Sequence, residues 1–229
     1  MTEETQVKQS YDDQSGGYDS FIRHLVPDYD LFNNLTAELL SFNGDDFRVL
    51  DIGCGTGETM LSIKNVFPNI HGMCIDISEA MVDAARKKLK KHSGIEFVCS
   101  GIVDFANKDK FDAVVSILVL HNIQTTDERV SVYKKIYDLL VEGGIYISVD
   151  IVKSDRLDVQ THYIRRWRQF MLTHISEEEV DGKRLSLHAS KDKPVTPHAM
   201  EEMLDRVGFR GFEIIHKNMN FMLTVCYKH

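Results

Sequence analysis

Val49-Leu50-Asp51-Ile52-Gly53-Cys54-Gly55-Thr56-Gly57 decides the fold. Arg48 to Ile52 reads as a short apolar strand, and a helical pattern runs from Thr59 to Val66. A glycine-rich turn between a first strand and its helix lets backbone N–H groups come close to an anionic or polar ligand. In open parallel sheets, that crevice beyond the strand ends is where ligands sit. Spacing separates two kinds of ligand. The dinucleotide fingerprint, counted from Gly53, needs glycine at position 58, where Glu58 stands. The G-x-G-x-G spacing after Asp51 suits instead a ligand without a pyrophosphate, which Glu58 would repel. Asp76, about 20 residues on, ends the second strand, where an acid accepts both hydroxyls of a ribose.

Outward from this loop, strands and helices alternate. His71 to Ile75, Ile95 to Cys99, Phe111 to Leu118 and Ile145 to Ile151 read as the next four strands. Helices are expected over Tyr29 to Phe42, Ser78 to His92, with Ser78 as cap and Gly94 as stop, and Asp127 to Leu140. Glu142-Gly143-Gly144 reads as the turn before the fifth strand. The rhythm breaks from Lys153 to His198. It resumes with a helix over Pro197 to Val207 and strands near Glu213 to His216 and Asn220 to Tyr227, turning at Lys217-Asn218-Met219. This pattern implies a parallel sheet with helices on both faces, closed by an antiparallel hairpin.

At 229 residues, the chain is long enough for one α/β domain with a modest addition. A net charge of −8 argues against a large nucleic-acid surface, which needs a concentrated positive face. Cys54, Cys74, Cys99 and Cys226 lie far apart, with no metal or redox spacing, and read as reduced. The polar start offers no apolar anchor, so a cytoplasmic protein without a membrane span is expected. His162, His174, His188 and His198 follow no ligand spacing, so no metal is expected.

Val49 to Gly57 closely resembles the first motif of class I S-adenosylmethionine (SAM)-dependent methyltransferases, and the resemblance runs from about Tyr11 to the C-terminus. It implies a Rossmann-like fold with a mostly parallel seven-stranded sheet, a C-terminal antiparallel hairpin and a helical insertion after the fifth strand. Residues 1–229 would form one domain, with 1–45 as an N-terminal helical lid and 153–198 as a helical substrate-side insertion. By the same resemblance, Asp51, Gly53, Cys54, Gly55 and Gly57 cradle the methionine part of SAM and Asp76 holds its ribose. Ile77 packs on the adenine; Met81 either joins it or belongs to the helix core. Gly101 replaces the usual adenine-reading acid, leaving backbone groups of Gly101 and Ile102 to read that edge, and Asp104 reads as a turn residue. Ser116 would lie near the cofactor. His121 would lie near the reacting methyl, as a general base or as a residue that shapes the pocket.

Ile22-Arg23-His24-Leu25-Val26-Pro27-Asp28-Tyr29 and Gly182-Lys183-Arg184, with Glu177-Glu178-Glu179 upstream, are similar to the carboxy-SAM synthase branch, which makes carboxy-SAM from SAM and prephenate. There the residue matching Tyr29 touches the cofactor and the one matching Arg184 pairs with the added carboxylate. Ile77, Gly101 and Ile117 depart from that branch, which favours methyl transfer to a small molecule with SAH as product. Tyr11, Tyr18, Arg23, Trp167 and Arg184 are the candidate substrate contacts. Tyr163, Trp167 and Phe170 share a helix face that is either core or pocket wall. Other readings are a SAM-binding module without catalysis and an RNA methyltransferase, the latter disfavoured by the acidic balance. The resemblance also suggests a homodimer.

Overall fold

Val49, Leu50 and Ile52 are buried almost completely, as befits a strand covered on both faces. In the computed structural model, which describes residues 17–41 and 46–229, they belong to β1 (Arg48–Ile52). The other strands are β2 (His71–Asp76), β3 (Ile95–Cys99), β4 (Phe111–Ile117), β5 (Leu140–Ile151), β6 (Phe209–Asn218) and β7 (Phe221–Lys228). They form one seven-stranded sheet in the order β3-β2-β1-β4-β5-β7-β6. β1 to β5 are parallel, and β7 runs antiparallel between β5 and β6. The order reverses between β1 and β4, so a crevice opens beyond their carboxyl ends.

Two helices, α1 (Tyr18–Leu25) and α2 (Tyr29–Glu38), precede the sheet. α3 (Glu58–Val66), α4 (Glu79–Lys88) and α5 (Thr126–Leu139) follow β1, β2 and β4. Ser78 caps α4 by accepting the Met81 N–H at 3.2 Å, and Thr125 with Glu128 closes a capping box on α5. Between β5 and α8 (Pro197–Val207) lie α6 (Leu157–Leu172), a helical turn at Glu177–Glu179, a π-helix at Val180–Leu185 and α7 (Ser186–Lys191).

Period-two alternation divides the core. Val49, Val115 and Ile147 meet Phe32, Ile63, Trp167 and Met171 on one face. Leu50, Val114 and Tyr146 meet Val132, Tyr133, Ile136 and Leu204 on the other. Each such side chain contributes about 1.5–3 kcal/mol by leaving water, so the sheet is a rigid base for whatever sits on its edge.

Several boundaries differ from the sequence reading; α4 stops at Lys88 instead of His92, and β6 starts at Phe209 instead of near Glu213. β5 begins at Leu140, because Glu142-Gly143-Gly144 is absorbed as a bulge facing Phe111 and Ala113. Gly143 takes φ +76°, and a Cβ on Gly144 would come within 2.9 Å of the Val141 carbonyl. β6 runs on to Asn218, so the chain turns at Met219-Asn220 instead. Asn218 Nδ2 donates to Asp28 at 2.8 Å, and His216 Nε2 lies 2.9 Å from the same oxygen; this holds the strand end against α2. α2 stops at Glu38, and Phe42 lies outside the described residues.

One buried cation joins the insertion to the turn after β4. Arg129 on α5, 2% exposed, donates to the carbonyls of Ile123 at 3.3 Å and Lys193 at 3.0 Å. The Lys193 N–H in turn donates to the His121 carbonyl at 2.7 Å. Among the described residues, no helix is long and apolar enough to cross a membrane.

Candidate active site

The crevice predicted by the topology holds a cavity of about 250 Å³, lined by Gly53, Gly55, Asp76, Ile77, Met81, Gly101 and Ile102, among others. Its floor is the glycine loop. Gly53 (φ +64°) has no room for a side chain, since a Cβ would lie 2.5 Å from Val119 Cγ2. Gly55 (φ +52°) faces open space, with nothing within 4 Å of a would-be Cβ. Both conformations favour glycine. The Asp76 carboxylate closes the loop, accepting the Gly55 N–H and the Ser78 N–H at 2.9 Å each. Ile77, Met81 and Ile102 supply an apolar wall fit for a flat ring. Met81 is also 1% exposed, so it serves core and cleft at once. Asp104 sits in the turn after β3 and lines the same cleft.

Asp51 lies just before Ile52, another lining residue. It is 1% exposed, and its Oδ2 has no hydrogen-bond partner among the described residues. Burial, with the charge of Asp76 adding to it, pushes its pKa up to about 8. A buried carboxyl with a bare oxygen suits an incoming ammonium group. A stability signature follows. Between about pH 4 and 8 the folded, ligand-free protein holds a proton that the unfolded chain has released, so stability falls as pH rises through that window. Asp51→Asn should flatten this slope in thermal melts at several pH values, whereas an unchanged slope would assign it to another group.

Beside the cleft is a second cavity, of about 170 Å³. Tyr18 and Leu118 line both. Leu118 is held at φ +59°, a costly conformation for a branched side chain, while its N–H donates to the Val149 carbonyl at 2.7 Å. His121, on a short 3₁₀ turn, faces the second cavity, with Nδ1 2.5 Å from Asp150 Oδ1. Burial works against the imidazolium, but the charge and hydrogen bond of Asp150, helped by Asp192, outweigh it and raise the His121 pKa. Trp167, Arg184, His188 and Asp192 complete the polar and aromatic lining. Trp167 donates through Nε1 to the Leu25 carbonyl at 2.6 Å and packs edge-on against Phe221. It is therefore core and wall together.

Other sequence candidates lie outside both cavities. Arg23 donates to Asp30 and Glu58 at 2.8 Å, Lys88 pairs with Glu58 at 2.5 Å and Asp19 at 2.7 Å, and Thr56 hydrogen-bonds Asp19. Arg23 thus belongs to a polar latch that ties α1 to the glycine loop. Tyr29 is buried beneath it, with Arg23 over its ring. Ser116 is buried against the Tyr146 hydroxyl at 2.8 Å. Cys54 packs in the core cluster, and Gly57 lies under Ala85 and Leu89. Tyr11 lies outside the described residues. The sequence reading did not name Asp150. A lone acid in the apolar run Ile145 to Ile151 was the available signal.

Residues 49–144 match the model of a methyltransferase domain family. A carboxy-S-adenosyl-L-methionine synthase of Wolinella succinogenes is 30% identical over 240 aligned positions, spanning 100% of this chain and 97% of its own. One from Helicobacter hepaticus is 27% identical over 224 positions, covering 92% of this chain and 90% of its own. Among solved structures, the N-methyltransferase NodS of Bradyrhizobium japonicum, in complex with SAH, superposes with TM-score 0.66 at 15% identity, covering 96% of this chain and 97% of that one. Magnesium protoporphyrin IX methyltransferase of Synechocystis, with bound SAH, gives 0.67 at 15% identity, covering 98% and 99%. At that identity these two speak for the fold alone. The likeness along the whole chain at 30% identity carries more: this protein belongs to the SAM-dependent methyltransferase superfamily, close to its carboxy-SAM synthase branch, and is a SAM-dependent enzyme.

Proposed function

We propose that this enzyme transfers a methyl group from SAM to a small-molecule acceptor seated in the second cavity, releasing SAH. The observation that carries this is the His121–Asp150 pair, set in a cavity that shares Tyr18 and Leu118 with the cofactor cleft. The cleft's donor set fits SAM: Asp51 for the ammonium, Gly53 and Gly55 for the methionine part, Asp76 for the ribose hydroxyls. Ile77, Met81 and Ile102 cover the adenine, with the backbone of Gly101 at its edge. α1 and the insertion 153–198 enclose the acceptor side.

SAM supplies an electrophilic methyl on a sulfonium and leaves as a neutral thioether. The protein's part is to hold the acceptor in line, keep water out and take one proton. Asn122 Nδ2 lies 3.3 Å from His121 Nε2. If the amide donates there, Nδ1 carries the hydrogen, donates it to Asp150, and leaves Nε2 basic. The acceptor displaces the Asn122 amide from the single lone pair of Nε2, which then takes the acceptor's proton as the acceptor's lone pair bonds the methyl. Free cysteines throughout suit a cytoplasmic enzyme.

The names of the relatives favour a second reading, formation of carboxy-SAM. Ile77, Gly101 and Ile117, the three departures from that branch, all line the cleft, which supports methyl transfer instead. Mass spectrometry of the small molecule released on denaturing freshly purified protein separates the two. SAM or SAH is expected; carboxy-SAM would overturn the methyl-transfer reading.

A further inference from the structure

Three ionisable pairs stand around the second cavity. His121 Nδ1 meets Asp150 at 2.5 Å, and His188 Nδ1 meets Asp192 Oδ2 at 2.7 Å. Arg184 points Nε and Nη2 at Glu179 Oε1, at 2.8 and 2.6 Å, and lays its guanidinium 4.5 Å over the Phe21 ring. The one permanent cation in the wall among the described residues therefore has a carboxylate along its edge and a ring on its face. Among the described residues Asp192 is the one carboxylate on the lining, Asp150 lies buried just behind His121, and each is held by an imidazole. An anion entering here would displace Glu179 or sit beside two carboxylates, at an electrostatic cost that low dielectric enlarges. The imidazoles offer the opposite opportunity. In a neutral ring whose Nδ1 hydrogen goes to its aspartate, Nε2 is an acceptor; at His121 a ligand hydroxyl would take the place of the Asn122 amide 3.3 Å away, and His188 Nε2 has no hydrogen-bond partner among the described residues. Apart from Tyr18, the rest of the described wall is apolar or aromatic, including Ile22, Leu118, Ile151, Met171 and Phe221.

We infer that the acceptor is an uncharged, compact, largely apolar molecule with two hydroxyl groups, one presented to His121 and the other to His188. This rests on the second cavity being the acceptor site. His121 receives the proton of the group being methylated, and His188 is the specificity residue that holds the other. Asp192 positions His188, much as Asp150 positions His121.

Trp167 is the only tryptophan of the chain and lies edge-on to His188 at 5.1 Å between ring centroids, so its emission reports occupancy. Catechol and 3,4-dihydroxybenzoate, which differ by one carboxylate, are the probes, titrated into the full-length protein with and without SAM. Catechol should perturb the emission saturably, and 3,4-dihydroxybenzoate should bind at least about tenfold more weakly. His188→Leu should weaken catechol about tenfold, a loss of about 1.4 kcal/mol, and leave SAM affinity unchanged. Asp192→Asn should do the same in part, which guards against a misfolded leucine variant. Equal or tighter binding of the carboxylate would overturn the inference. So would absence of saturable catechol binding, or unchanged catechol affinity in both variants. SAH release in the same samples keeps the two levels apart. Catechol bound without SAH production defeats methyl transfer but not the acceptor chemistry. SAH formed from the acid, with catechol excluded, does the reverse.

Discussion

His121→Gln should lower kcat by about 10²- to 10³-fold, in the range for loss of a general base, while SAM affinity changes less than about threefold. The expectation follows from placement. His121 lines the second cavity and not the cofactor cleft, so its loss touches the proton and not the cofactor. The wild-type pH profile of kcat should rise to a plateau through a pKa above the ordinary imidazole value, because only the neutral ring accepts a proton and Asp150 favours the charged one. Asp150→Asn should move that inflection down, and a reversed tautomer would cost activity as well. Stability carries the opposite sign. A histidine whose folded pKa is raised stabilises fully below its unfolded pKa, near 6.5, and that contribution fades as pH rises through the folded value. Identical kcat in His121→Gln would remove the base from the mechanism. A protein that binds SAM but never turns over would point to the non-catalytic module.

Asp76→Ala should weaken SAM by about 100-fold in calorimetry, with a melting temperature within a few degrees of wild type. Hydrogen bonds to charged groups contribute about 1.5–3 kcal/mol each, and a ribose held at Asp76 would present two hydroxyls to its carboxylate. A loss of about 2.7 kcal/mol, or 100-fold, assumes partial compensation by water. Asp76 also accepts the Gly55 and Ser78 N–H groups at 2.9 Å each, so the variant releases two backbone amides; Asp76→Asn keeps the shape and should lose less. Unchanged affinity would put the ribose elsewhere.

The sheet was legible because glycine spacing and apolar period are local signals: β1 and α8 fall at the residues expected. β5 was misjudged at its start because a Gly-Gly pair marks a turn and a bulge equally well, and only the partner strand decides. Within the site, Gly53, Gly55, Asp76, Ile77, Gly101 and Ile102 sit together in the cleft as the motif order implied. Arg23 did not join them. Its charge reads like a substrate contact, yet Asp30, seven residues on, and Glu58, far off in sequence and near in space, hold it away. Asp150 went unnamed for the same reason, since its importance comes from the distant His121 that it faces; Asp192, four residues after His188, forms a local pair that helix spacing alone could have shown.

The Arg129 clamp has a consequence for how the molecule opens. Its guanidinium bridges the Ile123 and Lys193 carbonyls from a buried position. Neither segment can swing out alone without stranding a desolvated cation. The turn after β4 and the end of the insertion should therefore open and close as one cooperative unit, with amides of Leu120 to Gln124 and Lys191 to Lys193 exchanging hydrogen at matched free energies. Entry to the second cavity would then be a single breathing event, and access would be set by one equilibrium and not by two independent flaps.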